Sequence, residues 1–192
     1  MRITRRFLLA PSLARLIEKE RAGYSVTEGY FADRPDRSTY VRVEKGRGTL
    51  VLVTGGVGEA MEEPTEMPRA HAEALLDLAA GRVGYRRIPL SLGTDTAQVS
   101  RFMTPGALDL ISIAFEREEH ARAFQPLPWF GPEVTTESSY HTRSISLAGL
   151  PDIPEVEPSD AALHRLLDTL ENRGVSRHPQ QPRAWLKERA AR

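Results

Sequence analysis

The chain is written in short alternating runs. Residues 2–8 set Ile3, Arg5 and Phe7 on one side and Arg2, Thr4 and Arg6 on the other, which is the period of a β-strand and not of a helix. Similar runs are expected to form strands over 24–31, 40–44, 49–54, 83–90, 97–102 and 108–115, and residues 62–67 alternate as well. Turn chemistry separates them: Arg34-Pro35-Asp36, the glycine-containing Lys45-Gly46-Arg47-Gly48 between two runs, and Thr104-Pro105-Gly106. Gly55, Gly56 and Gly58 make a flexible connection. Helical spacing is rarer. Pro11-Ser12 opens one helix with Leu13, Leu16 and Ile17 on a face and a stop at Gly23, and Pro68 opens another with His71, Leu75 and Leu78 and a stop at Gly81. Residues 117–124 suggest a third, and Ser159 is an N-cap for a fourth, whose stripe is Leu163, Leu166, Leu167 and Leu170. Many short strands with few helices imply an α+β chain built as an antiparallel barrel with helices outside.

A length of 192 residues suits one well-cored domain. The formal net charge is zero, which argues against a generally basic nucleic-acid binder. Charge is uneven along the chain: 152–160 carries only acids, and 177–192 is mainly basic. Cysteine is absent, which removes disulfides, thiolate metal sites and cysteine nucleophiles. No apolar run approaches the roughly 20 residues that span a bilayer, and 7–9 is too short for a signal segment. A soluble cytoplasmic protein is expected, with a barrel over 1–150, an acidic linker and helix over 151–175, and a loosely ordered basic tail over 176–192.

An ordered series of phrases resembles the CYTH family, the group of class IV adenylyl cyclases and triphosphate-hydrolysing enzymes. Arg2-Ile3-Thr4-Arg5-Arg6-Phe7 stands where that family opens with Glu-Ile-Glu-Arg-Lys-Phe. Glu28-Gly29-Tyr30 matches its Gln-Gly-Tyr, Val41-Arg42-Val43-Glu44 its Val-Arg-Val-Arg, and Val51-Leu52-Val53-Thr54 its Leu-Thr-Ile-Lys. The most specific match is Pro128-Trp129-Phe130-Gly131-Pro132-Glu133-Val134-Thr135 followed by Tyr140, against Pro-x-Trp-Leu-Gly-x-Glu-Val-Thr and a later Tyr. The resemblance implies an eight-stranded antiparallel barrel whose inward basic side chains hold a triphosphate and whose inward carboxylates hold magnesium or manganese.

Taken position by position, the resemblance also implies that this lining has changed. The first strand's two Glu positions are Arg2 and Thr4, and its Lys is Arg6. Arg42 is kept, the next Arg is Glu44, and the fourth strand's Lys is Thr54 with Leu52 as inward neighbour. A Glu-x-Glu-x-Glu stretch survives as Glu62 and Glu66 around Pro64. Arg86 fits a family Arg, while the Lys before it is Gly84. The Glu-x-Asp strand is Gln98-Val99-Ser100, and the last Glu-x-Glu is Ser112-Ile113-Ala114. With carboxylates missing at both ends, no metal and no other cofactor is expected.

The expected ligand-binding residues are Arg6, Arg42, Arg86, Gln98 and Ser100, and the expected acid/base residues are Glu44, Glu62 and Glu66. Internal ion pairs that hold a barrel open explain Glu62 and Glu66 equally simply. Two functional readings follow: a metal-independent enzyme acting on a small polar or anionic molecule, or a non-catalytic binding or regulatory protein. Residual triphosphate hydrolysis or nucleotide cyclisation is a third. The partner is a small molecule in the tunnel, with no nucleic acid and no membrane, and the chain is compatible with a homodimer. The five histidines show no ligand spacing, although His141 follows Tyr140 near a barrel end. The glycine run after Thr54 lacks the Lys-Ser/Thr of a phosphate loop. Trp129 is expected in the barrel wall, and Trp185 can anchor the tail or a partner.

Overall fold

A computed structural model describes residues 3–32, 37–54 and 61–171. Arg2, the 34–36 turn, the glycine connection at 55–58, and the basic tail with Trp185 lie outside the described residues. Eight strands follow in the order β1 (Ile3–Leu8), β2 (Tyr24–Tyr30), β3 (Arg37–Glu44), β4 (Arg47–Thr54), β5 (Met61–Met67), β6 (Gly81–Leu92), β7 (Asp95–Thr104) and β8 (Leu108–Phe115). The helices are α1 (Pro11–Glu20), α2 (Arg69–Asp77), α3 (Glu118–Ala123), α4 (Thr142–Ala148) and α5 (Asp160–Leu170). No helix among the described residues is long and apolar enough to cross a membrane.

The strands form one antiparallel sheet in the order β1-β8-β7-β6-β2-β3-β4-β5. Its edges are β1 and β5, so hydrogen bonding does not close the sheet on itself. The expected closed barrel is thus realised as an eight-stranded antiparallel sheet. β1 has a different neighbour on its outer edge, the 131–134 segment. Leu8 N–H donates to Pro132 O at 2.9 Å, Gly131 N–H to Leu8 O at 2.9 Å, and Val134 N–H to Arg6 O at 2.8 Å. These bonds cover backbone groups that an open edge leaves unpaired.

Period-two alternation divides the sheet into two unlike faces. On one, Phe7, Ile88, Leu90, Ala97, Val99, Ile111 and Ile113 meet Leu13, Ala14 and Ile17 of α1, Trp129, and Ala162, Leu166 and Leu170 of α5. Farther along this helix face, Val41 packs under Ala72 and Leu76 of α2. The stripes differ from expectation. α2 buries Ala72 and Leu76 and leaves His71 and Leu78 exposed, while on α5 Leu163 and Leu167 sit at the rim. Ser159 caps α5 as expected, accepting from Ala162 N–H at 3.1 Å.

The second face is polar except where α4 covers it. Val26, Tyr30, Tyr40, Tyr85, Phe102, Leu108 and Leu110 gather around Tyr140 and Ile145. This short helix and the 3-10 turn before it, Ser138–Tyr140, carry no signal that the alternation analysis detected. The β3–β4 hairpin closes on Lys45 and Gly46 alone, both at positive φ (49° and 77°), a tighter turn than the one expected.

Gly81 lets α4 sit down on the sheet, since a Cβ there would stand 2.0 Å from the Ser146 carbonyl oxygen. Gly81→Ala should therefore lower stability by about 1–3 kcal/mol, where a glycine-to-alanine change without strain would raise it. Urea unfolding of the two chains measures the difference, and a midpoint at or above wild type would show that α4 does not rest there.

Candidate functional site

Glu28 is the buried carboxylate of the polar face, with 1% of its surface exposed. β2 places it directly across from Arg42 of β3, and Arg42 Nε donates to Glu28 Oε1 at 2.6 Å. Tyr30 OH, two residues on and so on the same face, donates to Oε2 at 2.8 Å, and Tyr85 OH of β6 donates to Oε1 at 3.1 Å. The charge is thus removed from water but answered by one cation and two hydroxyls, the condition under which a buried ion can be kept.

The bonds continue outward in both directions. Arg87 Nη2 donates to Tyr85 OH at 2.6 Å, and Arg87 Nη1 lies 3.4 Å from Glu44. On the other side Arg42 Nη2 donates to Tyr40 OH at 3.1 Å, and that hydroxyl donates to Glu62 Oε1 at 3.3 Å. Glu44, Arg87, Tyr85, Glu28, Arg42, Tyr40 and Glu62 therefore form one chain of contacts across β3, β6, β2 and β5. Burial works against the Arg42 cation, yet Glu28 raises its pKa above the ordinary arginine value. Burial first, and then the Glu28 charge, push the Tyr30 and Tyr85 phenols upward. Burial raises Tyr40 too, with Arg42 opposing.

Beside this network lies a pocket of about 150 Å³. Its polar lining is Arg6, Arg87, Gln98, Ser100 and Ser112, with Tyr140 and Thr142 from the covering segment. Arg6 is held by its backbone, whose N–H donates to Thr135 Oγ1 at 2.9 Å. Its guanidinium has no hydrogen bond or ion pair among the described residues, and burial lowers its pKa. Gln98 Oε1 is buried and receives no donor. Among the described residues no carboxylate lines the pocket.

The expected site residues divide. Arg6, Gln98 and Ser100 meet in the pocket, whereas Arg42 and Glu44 belong to the network next to it. Glu62 and Glu66 are exposed on the edge strand β5, and Glu66 lies 4.0 Å from an equally exposed Arg47. Arg86 is on the helix face, ion-paired with Glu18 at 2.8 Å, and its Nη2 donates to the Gly23 carbonyl at 3.0 Å. Arg87 takes the place expected for Arg86, because one step along a strand turns a side chain to the other face. Leu52 likewise stands on the helix side, opposite Thr39 and Glu63. Glu28, Arg87 and the three tyrosines were not among the expected site residues. The alternation Tyr24, Val26, Glu28, Tyr30 within β2 was the available signal.

The Pro128–Thr135 phrase is structural in this fold. Glu133 receives Arg5 Nε at 2.9 Å and Nη2 at 2.6 Å, and accepts from Thr135 Oγ1 at 2.7 Å. Arg5 Nη1 also donates to the carbonyls of Ala121 and Phe124 at 3.1 and 2.7 Å. Trp129 packs in the helix-face core, as expected. A magnesium or manganese ion needs several oxygen donors converging at one point. The register sets Thr4 opposite Ala114 and Arg6 opposite Ser112, and no three His, Asp or Glu side chains converge among the described residues. The donors present there do not fit such an ion.

The phenols provide a pH test. A folded pKa raised above the unfolded value of about 10 supplies stability that is complete below that pH and fades as pH rises. Tyr30, Tyr40 and Tyr85 should stay un-ionised through pH 10–11 and ionise together with alkaline unfolding. Absorbance at 295 nm and circular dichroism check this; ordinary titration of all five tyrosines in the folded protein would refute it.

No family model matches the sequence. An inorganic triphosphatase of Nitrosomonas europaea is 42% identical over 41 residues, a stretch that is 21% of this chain and 27% of that protein. The aligned part of the chain thus spans about a quarter of the curated relative it matches. A crystal structure of an inorganic triphosphatase superposes with a TM-score of 0.59 at 24% identity, covering 80% of this chain and 97% of the other. A candidate adenylate cyclase from Bacillus halodurans reaches 0.50 at 17% identity, over 64% and 84% of the two chains. This chain shares the fold of those two structures.

Proposed function

We propose that the chain binds a small anion, a single oxyanion or a short carboxylic acid, in the pocket around Arg6, without a metal ion. The observation that carries this reading is the half-buried Arg6 guanidinium, which has no hydrogen bond or ion pair among the described residues. A cation withdrawn from water without a partner is costly, and an anion bound there would supply the missing partner. Arg87, Gln98, Ser100 and Ser112 add donors around it. At about 150 Å³ the space is well below that of ordinary cofactor pockets, roughly 300 Å³ and more, so a single anionic group suits it better than a triphosphate. Arg42 is already committed to Glu28, which supports the same conclusion.

A catalytic reading rests on Glu44, whose carboxylate reaches the pocket through Arg87. In that reading Glu44 moves a proton on the bound acid, with Glu62 and Glu66 at the outer end of the same face. Binding alone, in a sensing or regulatory protein, needs no such step. Small-acid turnover followed by NMR in the wild type and in Glu44→Gln separates the two.

Thermal unfolding with inorganic phosphate and with tripolyphosphate, each with and without magnesium, tests the proposal. Phosphate should stabilise the protein equally in both conditions. Arg6→Met should abolish that shift while unfolding at or above the wild-type temperature without ligand, because it removes a half-buried charge with no ion pair among the described residues. Stabilisation by tripolyphosphate that depends on magnesium, and survives in Arg6→Met, would overturn the reading.

A further inference from the structure

His141 sits between Tyr140 and Thr142, two residues of the segment that covers the Arg6 pocket. Its main chain is fixed on both sides. The His141 N–H donates to the Ser138 carbonyl at 3.0 Å, and the His141 carbonyl accepts from Ile145 N–H at 3.0 Å as α4 begins. The imidazole faces the Thr135 main chain and the Arg6 guanidinium. Thr135 is also the residue whose hydroxyl holds the Arg6 N–H at 2.9 Å, so one threonine sets a second titratable donor beside Arg6. The histidine stays open to solvent on one side, where protons can reach it.

Arg6 of β1 is the charged group that acts on the ring. Glu133 of the adjoining segment is taken by Arg5, Arg143 of α4 reaches Ser38, and Glu137 bears on Tyr140. Partial burial, and then the Arg6 charge, hold the His141 pKa below the ordinary histidine value, with the Thr135 main chain opposing them. At neutral pH the ring is therefore uncharged and has one N–H, directed at Thr135. A protonated ring has two.

We propose, on the anion-binding reading above, that His141 is a further anion-binding residue of the Arg6 site and takes up a proton from solvent as an oxyanion binds. The anion's charge offsets the repulsion from Arg6, the imidazole becomes imidazolium, and its second N–H donates to the anion. The bound state then holds a proton that the free state lacks, so binding strengthens as pH falls through the histidine range.

Isothermal titration of the full chain with sodium sulfate, whose charge is constant over the range, is the test, at pH 5.5 and pH 8 on either side of the ordinary histidine value. Histidine C–H resonances are followed by NMR in parallel. Sulfate should bind about tenfold more tightly at pH 5.5, the effect of one added charge-assisted hydrogen bond. His141→Gln should flatten that difference, and it identifies the His141 resonance among the five histidines. Saturating sulfate should raise the His141 midpoint in the wild type. In Arg6→Met the same midpoint should lie higher than in the wild type without any ligand, because the repelling charge is gone. Equal affinity at the two pH values, a pH dependence that survives in His141→Gln, or a midpoint unmoved by Arg6→Met would each overturn the proposal and leave the anion site standing. No sulfate binding at either pH would overturn the anion-binding reading and this proposal with it.

Discussion

The polar face depends on one buried carboxylate. Glu28 lies on β2 between β3 and β6 at 1% exposure, where an isolated charge would be expelled or neutralised. It persists because Arg42, Tyr30 and Tyr85 all donate to it. Where the resembling family offers a neutral glutamine, this chain supplies an anion, and Arg42 is spent inside the protein. What remains open to a ligand is the neighbouring group of Arg6, Arg87, Gln98 and the two serines.

A second device keeps that group in place. The 131–135 segment lies along β1 and grips it from both faces: Arg5 reaches Glu133 on the helix side, and Thr135 holds the Arg6 backbone. The most recognisable phrase of the sequence therefore covers an edge strand and holds the backbone of Arg6 beside the pocket. α4 covers the other end of the face, and it can do so because Gly81 has no side chain. Framework and pocket thus share residues.

The strands were legible in the sequence because alternation and turn chemistry are local signals, and all eight fall where short runs alternate. The alternation of β1 placed Arg6 correctly, and the Arg42 strand was equally plain. Arg86 was assigned to the polar face through the family resemblance, whereas the unbroken alternation of β6 sets Val83, Tyr85 and Arg87 on that face and Arg86 with Ile88 and Leu90 on the other. The helix stripes were misjudged where small Ala72 and Ala162, not a leucine, make the close contact. Glu28 was passed over for a different reason. A carboxylate in a strand looks like a solvent-facing residue until its partners on β3 and β6 are known, and those partners are distant in sequence. Closure of the sheet was a similar matter, since it turns on the 131–134 segment pairing with β1 in place of another strand.

The coupling between Glu28 and Arg42 is the direct measure of this account. Urea unfolding of Glu28→Gln, Arg42→Met and the double variant forms a cycle. Arg42→Met leaves a buried carboxylate unanswered and should cost about 3–5 kcal/mol, and the double variant should recover at least about 1 kcal/mol relative to the sum of the singles. Strict additivity, with each single change costing little, would contradict the claim that Glu28 holds Arg42 and organises the face around it.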